Sequence, residues 1–171
     1  QNSYNQAEFV STKDSVFAAQ TYFGELLRLN LLNSGKLLDI GCSDGAFISI
    51  VKSKSGMVVM GIEPSIHAIN SSDSAVRENI QHTNLESFQS EYGFDLVTCF
   101  QTVEHVNDLN GLIVKSKELL IDQGHLVPVC HDRLSLVNRI LGERSPIFDI
   151  EHLQCYYDLN QKNIIERKYR V

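Results

Sequence analysis

Short, fully apolar runs alternate along the chain with stretches in which apolar residues recur every three or four positions. Over residues 16–32, Phe17, Phe23, Leu26, Leu27, Leu31 and Leu32 fall mostly at helical spacing. Asp14 or Ser15 is the expected cap of that helix, and Asn33-Ser34-Gly35 its expected stop. Compact apolar runs at 36–41, 57–62, 94–100 and 125–130 read as strands, and 79–82 is a weak fifth. Helical patterns at 46–54, 65–77, 108–120 and 134–141 lie between or after them, with Ser65 as a cap and Ser71-Ser72-Asp73-Ser74 as a local break. A last strand is expected at 164–171. Pro128 places the 125–130 strand at an edge or a strand end.

The first two strands are apolar along their length, which fits a parallel sheet buried on both faces. The fold class is therefore α/β, a doubly wound, mostly parallel sheet with helices on both faces. In such sheets ligands bind outside the carboxyl ends of the strands. Chemistry is expected at 39–45, at Glu63, at Asn84, at 100–105 and at 130–133.

Composition narrows the classes of partner. The 171 residues suit one domain and a core that needs no disulfide or metal staple. The 15 basic residues are outnumbered by 21 acidic ones, a net charge of −6, which disfavours nucleic acid as the main partner. The apolar runs are too short for a membrane-spanning helix. Residues 1–8 are polar, so no signal peptide is expected, and the location is read as cytoplasmic. Cys42, Cys99, Cys130 and Cys155 match no zinc spacing and read as reduced structural thiols. No metal site is expected.

The sharpest local signal is the turn after the first strand, Asp39-Ile40-Gly41-Cys42-Ser43-Asp44-Gly45, which runs into a helix. Gly41 and Gly45 allow backbone to pass close to a ligand. A dinucleotide turn would want a second glycine where Ser43 stands. Gly41-Cys42-Ser43-Asp44-Gly45 also fits the hydrolase pattern G-x-S-x-G, but nothing like an oxyanion-loop sequence precedes it. A nucleoside lacking a pyrophosphate fits best. Glu63, 22 residues after Gly41 and followed by Pro64, closes the second strand where an acid can receive both ribose hydroxyls.

Taken in order, these segments resemble the class I S-adenosylmethionine-dependent methyltransferases. Residues 39–45 look like their first motif, and Gly61-Ile62-Glu63-Pro64-Ser65 looks like their second. Phe94-Asp95-Leu96-Val97-Thr98-Cys99 with Val103-Glu104-His105-Val106 is similar to their fourth strand and its "EHV" element. Gln123-Gly124-His125-Leu126 resembles the turn into strand five, with Gln123 in place of a glycine. Glu151-His152-Leu153 with Tyr156 and Tyr157 is similar to an element of a bacterial small-molecule subset allied to the ubiquinone-type enzymes. The resemblance covers about 16–157 and implies a Rossmann-like fold.

It also implies roles for residues. Gly41, Ser43 and Gly45 would pack on the methionine part of S-adenosylmethionine, Asp39 would hold the turn and reach the amino group through water, and Glu63 would take the ribose. Pro64 shapes that turn. Asn84 and Leu85 would face the adenine, while Phe100 and Gln101 would lie beside the reactive methyl. His105, His131 and His152 are candidates for a general base, each equally readable as structural. The whole chain, 1–171, is expected to form one domain: 1–35 a helical cover, 36–130 the cofactor core and 131–171 the acceptor side. Only 158–171 remains for the C-terminal hairpin that the family adds. The implied reaction is methyl transfer to oxygen or carbon of a small molecule, giving S-adenosylhomocysteine. The alternative is a cofactor-binding module without transfer of its own. Nothing in the sequence fixes an oligomeric state.

Overall fold

The computed structural model describes residues 13–106, 108–130, 155–158 and 163–166. The elements in chain order are α1 (Lys13–Arg28), β1 (Ser34–Ile40), α2 (Ala46–Lys54), β2 (Gly56–Glu63), α3 (Ile66–Ser71), α4 (Ser74–Arg77), β3 (Ile80–His82), β4 (Phe94–Phe100), a 3₁₀ turn (Val103–His105), α5 (Leu109–Leu119), β5 (Leu120–Val129), β6 (Cys155–Asp158) and β7 (Asn163–Glu166). The first five strands form one sheet in the order β3-β2-β1-β4-β5. Every neighbouring pair in it is parallel. The doubly wound reading is thereby met.

Alternate residues of the central strands feed two apolar layers. Leu37, Val59 and Leu96 point to the side of α1 and α2, where Ala19, Leu26, Ile48 and Val51 close the layer. Leu38, Ile62, Val97 and Cys99 point to the other, against Leu109, Leu112 and Leu119 of α5. Strands sandwiched in this way must be apolar on both faces, which is why their sequences run without alternation. Beyond β1 the chain winds outward through β2 and β3, then returns to lay β4 on the opposite side of β1. That reversal opens a crevice at the carboxyl ends of β1 and β4.

Several expectations change in detail. Helix α1 begins at Lys13, so Asp14 and Ser15 lie in its first turn rather than capping it, and it ends at Arg28. Ser34 and Gly35 already belong to β1. The 65–77 segment splits into two short helices, because the Asp73 carboxylate accepts from Ala75 N–H and starts a new one. Ser65 caps the first as expected, accepting from Ala68 N–H. Strand β5 starts at Leu120, earlier than its apolar run suggests. Leu120 pairs with Phe94, the polar 122–124 stretch bulges out, and pairing resumes with His125 opposite Leu96. Gln123 takes φ 65 in that bulge, the backbone state that makes glycine the usual resident.

Strands β6 and β7 form a separate antiparallel pair, and β6 lies beside the Val103–His105 turn. The expected helix at 134–141, the Glu151-His152-Leu153 element, His131 and His152 lie outside the described residues. Cys42, Cys99 and Cys130 are in no disulfide.

Candidate active site

The first turn is pinned by one carbonyl. Ile62 O at the end of β2 accepts from both Gly41 N–H (2.9 Å) and Cys42 N–H (3.1 Å). Three residues of the turn have left-handed backbone: Gly41 (φ 71), Ser43 (φ 55) and Gly45 (φ 74). The glycines serve packing inside the protein as much as any ligand. A Cβ on Gly41 would overlap the Thr102 side chain, and one on Gly45 would meet Ile80 Cδ1 at 2.9 Å and Val76 Cγ1 at 3.2 Å. Ser43 tolerates the same backbone state with a side chain.

The turn borders a cavity of about 130 Å³ at the carboxyl end of β1. Asp39, Gly41, Ser43, Phe100 and Gln101 line it, so five of the residues named from sequence converge there. Ser15, Tyr22, Cys42, Asp44 and Phe47 join them. Pockets that enclose a whole drug-sized ligand measure roughly 300–1,000 Å³. This one suits the amino-acid end of a cofactor.

Its walls are built from three directions. Phe100 leaves β4 with Tyr22 of α1 stacked on it at 4.2 Å and Phe47 of α2 edge-on at 4.8 Å. Gln101, at φ 50, is held by its N–H to Val129 O (2.7 Å) while its Nε2 donates to Tyr22 Oη (2.8 Å). The Ser15 hydroxyl donates to Asp44 Oδ2 (3.0 Å), and Asp44 Oδ1 accepts from Ala46 N–H at the start of α2. Helix α1 thus covers the crevice.

Two carboxylates sit at the root of the turn. Asp39 is buried, and its Oδ1 accepts the Thr98 hydroxyl at 2.7 Å. Burial pushes its pKa up to about 7; the Thr98 bond opposes the rise and the Glu63 charge adds to it. Glu63 is only 1% exposed. It accepts from Ser43 N–H on Oε2 (3.0 Å) and from Ser65 N–H on Oε1 (2.8 Å). Burial raises its pKa as well, with the two backbone bonds and His82 opposing. Burial also pushes the Cys42 thiol well up, helped by the nearby acids, so this cysteine is no nucleophile at neutral pH.

Other named residues lie elsewhere. Glu63 is beneath the turn and outside the cavity lining. Pro64 is exposed, and its carbonyl accepts from His82 Nε2 at 3.0 Å. Asn84 is exposed with its Oδ1 taken by Ser87 N–H, and Leu85 is a core residue. None of these three borders the cavity. His105 is half-buried in the turn after β4. Among the described residues no cluster of histidine, cysteine and acidic side chains fits a metal ion.

Asp44 lies in the 39–45 segment where chemistry is expected; sequence reasoning missed Tyr22, Phe47 and Ser15. Each reads locally as helix or turn, and only the packing of α1 over α2 brings them to the crevice. Thr98 was missed as well: it is the lone hydroxyl of β4, and its partner depends on register.

A family model described as a methyltransferase domain matches residues 17–163. The chain belongs to that family. Its parallel sheet and its relatives place it among the class I S-adenosylmethionine-dependent methyltransferases. It is 30% identical over 125 residues to the ubiquinone biosynthesis O-methyltransferase of Haemophilus ducreyi, covering 67% of this chain and 50% of that enzyme. The mitochondrial ubiquinone biosynthesis O-methyltransferase of Schizosaccharomyces pombe is 29% identical over 123 residues, covering 67% of this chain and 42% of that one. The methyltransferase chain spans about half the length of the curated relatives it matches. Among solved structures, a possible histamine N-methyltransferase of Thermotoga maritima shares the fold with a TM-score of 0.64 at 20% identity, over 86% of this chain and 70% of that one. A plantazolicin methyltransferase in complex with S-adenosylhomocysteine does so with a TM-score of 0.62 at 19% identity, over 80% and 55%.

The residues present fit such a cofactor. The cavity offers two carboxylates and three aromatic rings, and among the described residues no lysine, arginine or histidine borders it. Those carboxylates and rings suit the ammonium and sulfonium groups of the cofactor and disfavour a pyrophosphate.

Proposed function

We propose that this domain binds S-adenosylmethionine across the carboxyl ends of β1 and β2 and transfers its methyl group to an oxygen of a small-molecule acceptor. The observation that carries the reading is the cavity bounded by Asp39, the left-handed turn and Phe100. The relatives named as O-methyltransferases support oxygen over carbon. When bound, the cofactor supplies a methyl group already activated by its sulfonium.

The chain's own residues then have limited work. Asp39 faces the cationic amino group, and the backbone of Gly41, Ser43 and Gly45 supports the methionine part. Glu63 receives the ribose once the Ser43 cover yields, using the acceptor sites its two backbone bonds leave over. Asn84 and Leu85 are the candidates to face the adenine, in the loop that follows His82, whose ring bonds Pro64 O. Phe100, Gln101 and Tyr22 form the wall that aligns the acceptor, and alignment is the main catalytic resource, up to about 7–11 kcal/mol. His105, after β4, is a candidate to take the acceptor proton, as are His131 and His152. The acceptor is a small molecule, not nucleic acid, and the setting is cytoplasmic. No helix among the described residues is long and apolar enough to cross a membrane.

Transfer of labelled methyl from S-adenosylmethionine to a panel of phenols, stabilised carbanions and amines tests this. Label on the phenolic oxygen is expected. Label confined to amines or carbon would overturn the choice of oxygen. Cofactor binding without transfer to any acceptor would leave a binding module.

A further inference from the structure

We propose that Thr98 is a positioning residue of the cofactor site: it ties down one oxygen of Asp39 and so leaves the other for a cationic group of the ligand. This rests on the function proposed above and adds a residue and a proton to it.

Thr98 stands in the middle of β4, directly across from Asp39 in the parallel register. It is 0% exposed in a strand whose other central residues, Leu96, Val97 and Cys99, are apolar and buried. A hydroxyl there costs desolvation unless it finds a partner, and valine would fill the same volume without that cost. Two acceptors are within reach. Leu38 O lies at a long 3.4 Å, whereas Asp39 Oδ1 lies at 2.7 Å. The single proton therefore goes to the carboxylate, a charge-assisted bond of the stronger kind. Among the described residues no donor reaches Oδ2 of Asp39. Asp39 is 97% buried by its 3% exposure, yet it borders the cavity.

The groups facing Asp39 explain why this bond matters. Glu63 presses on it from β2, with His82 of β3 on the far side of Glu63. Cys42 and Asp44 flank it in the turn, the Ser15 and Tyr22 hydroxyls come from α1, and Phe47 from α2. None of these brings a cation into the cavity. Burial and Glu63 both hold the proton on Asp39, and the Thr98 bond is what favours its release. A ligand ammonium would complete that release, so binding takes up the ligand and gives off a proton.

The test is the dissociation constant of S-adenosylhomocysteine by calorimetry from pH 5.5 to 8.5, for the wild type, Thr98→Val and Thr98→Ser. Wild-type affinity should rise with pH through the titration of Asp39. In Thr98→Val the rise should move to higher pH, leaving affinity weaker by about tenfold near pH 6, a shift of roughly one unit. The gap should narrow toward pH 8.5, and Thr98→Ser should restore the wild-type curve. Melting temperature serves as the control, since lost packing would weaken binding equally at every pH. Superimposable profiles, or a constant offset that serine does not restore, would overturn the role of Thr98. A wild-type protein that binds no S-adenosylhomocysteine at any pH would instead overturn the function on which it rests.

Discussion

At the carboxyl end of β2, Glu63 spends both oxygens on backbone N–H groups, Ser43 of the first turn and Ser65 at the start of α3. One strand away, at the end of β1, Asp39 spends one oxygen on a side-chain hydroxyl and borders the cavity. Both acids are buried and both resist ionisation. The difference is in what each carboxylate holds. Glu63 staples two backbone segments, so it builds the site before any ligand arrives. Asp39 staples nothing beyond Thr98, so its charge is a cost that only a ligand offsets. Two acids at neighbouring strand ends thus divide into one that holds the turn and one that, in the role proposed above, receives a cation.

The comparison breaks most visibly at Glu63. Glu63→Ala should strand the buried Ser65 N–H at about 1–3 kcal/mol and release the half-buried Ser43 N–H, lowering the denaturant midpoint as well as cofactor affinity. A variant with wild-type stability would show that the staple contributes nothing.

Asp39→Asn should act with the opposite sign. The folded-state pKa is raised from 3.8 to about 7, so the favourable contribution of Asp39 is full below about pH 3.8 and is lost as pH rises through about 7. Removing the charge should therefore stabilise the protein at pH 8 by up to about 4 kcal/mol, with little change at pH 4, while weakening the cofactor. Urea unfolding at the two pH values measures this. A destabilised variant at pH 8 would show that Asp39 is already compensated in the free protein.

Gly41→Val sharpens the role of the turn between the acids. It forces a β-branched residue into left-handed backbone against Thr102, at about 1–3 kcal/mol. Stability should fall together with binding; loss of binding alone would mean that the side chain blocks ligand and not Thr102. Smallest is Tyr22→Phe, which removes the Gln101 bond while keeping the stack on Phe100. It should cost about 0.5–1.5 kcal/mol and alter the KM for the acceptor more than cofactor affinity.

Much of this was legible because burial on both faces writes itself into β1, β2 and β4 as unbroken apolar runs, and a turn such as Gly41–Gly45 needs small residues. The start of β5 was missed because Leu120 pairs with Phe94 before a polar bulge, which reads as a connector. The sequence marks Glu63 as a ligand group at a strand end, and the structure buries it beneath the turn. Its burial under Ser43 follows from a backbone bond between residues 20 apart, which no local pattern records. Tyr22 and Thr98 were invisible as site residues for the same reason: one depends on how α1 crosses the sheet, the other on the register of β1 with β4.

The most direct measurement is calorimetric titration of the domain with S-adenosylmethionine, with NAD as the comparison. Saturable one-site binding of the sulfonium cofactor, and no heat with NAD, is expected from a cavity that holds carboxylates and no pyrophosphate cradle. Tight NAD binding with no response to S-adenosylmethionine would contradict it.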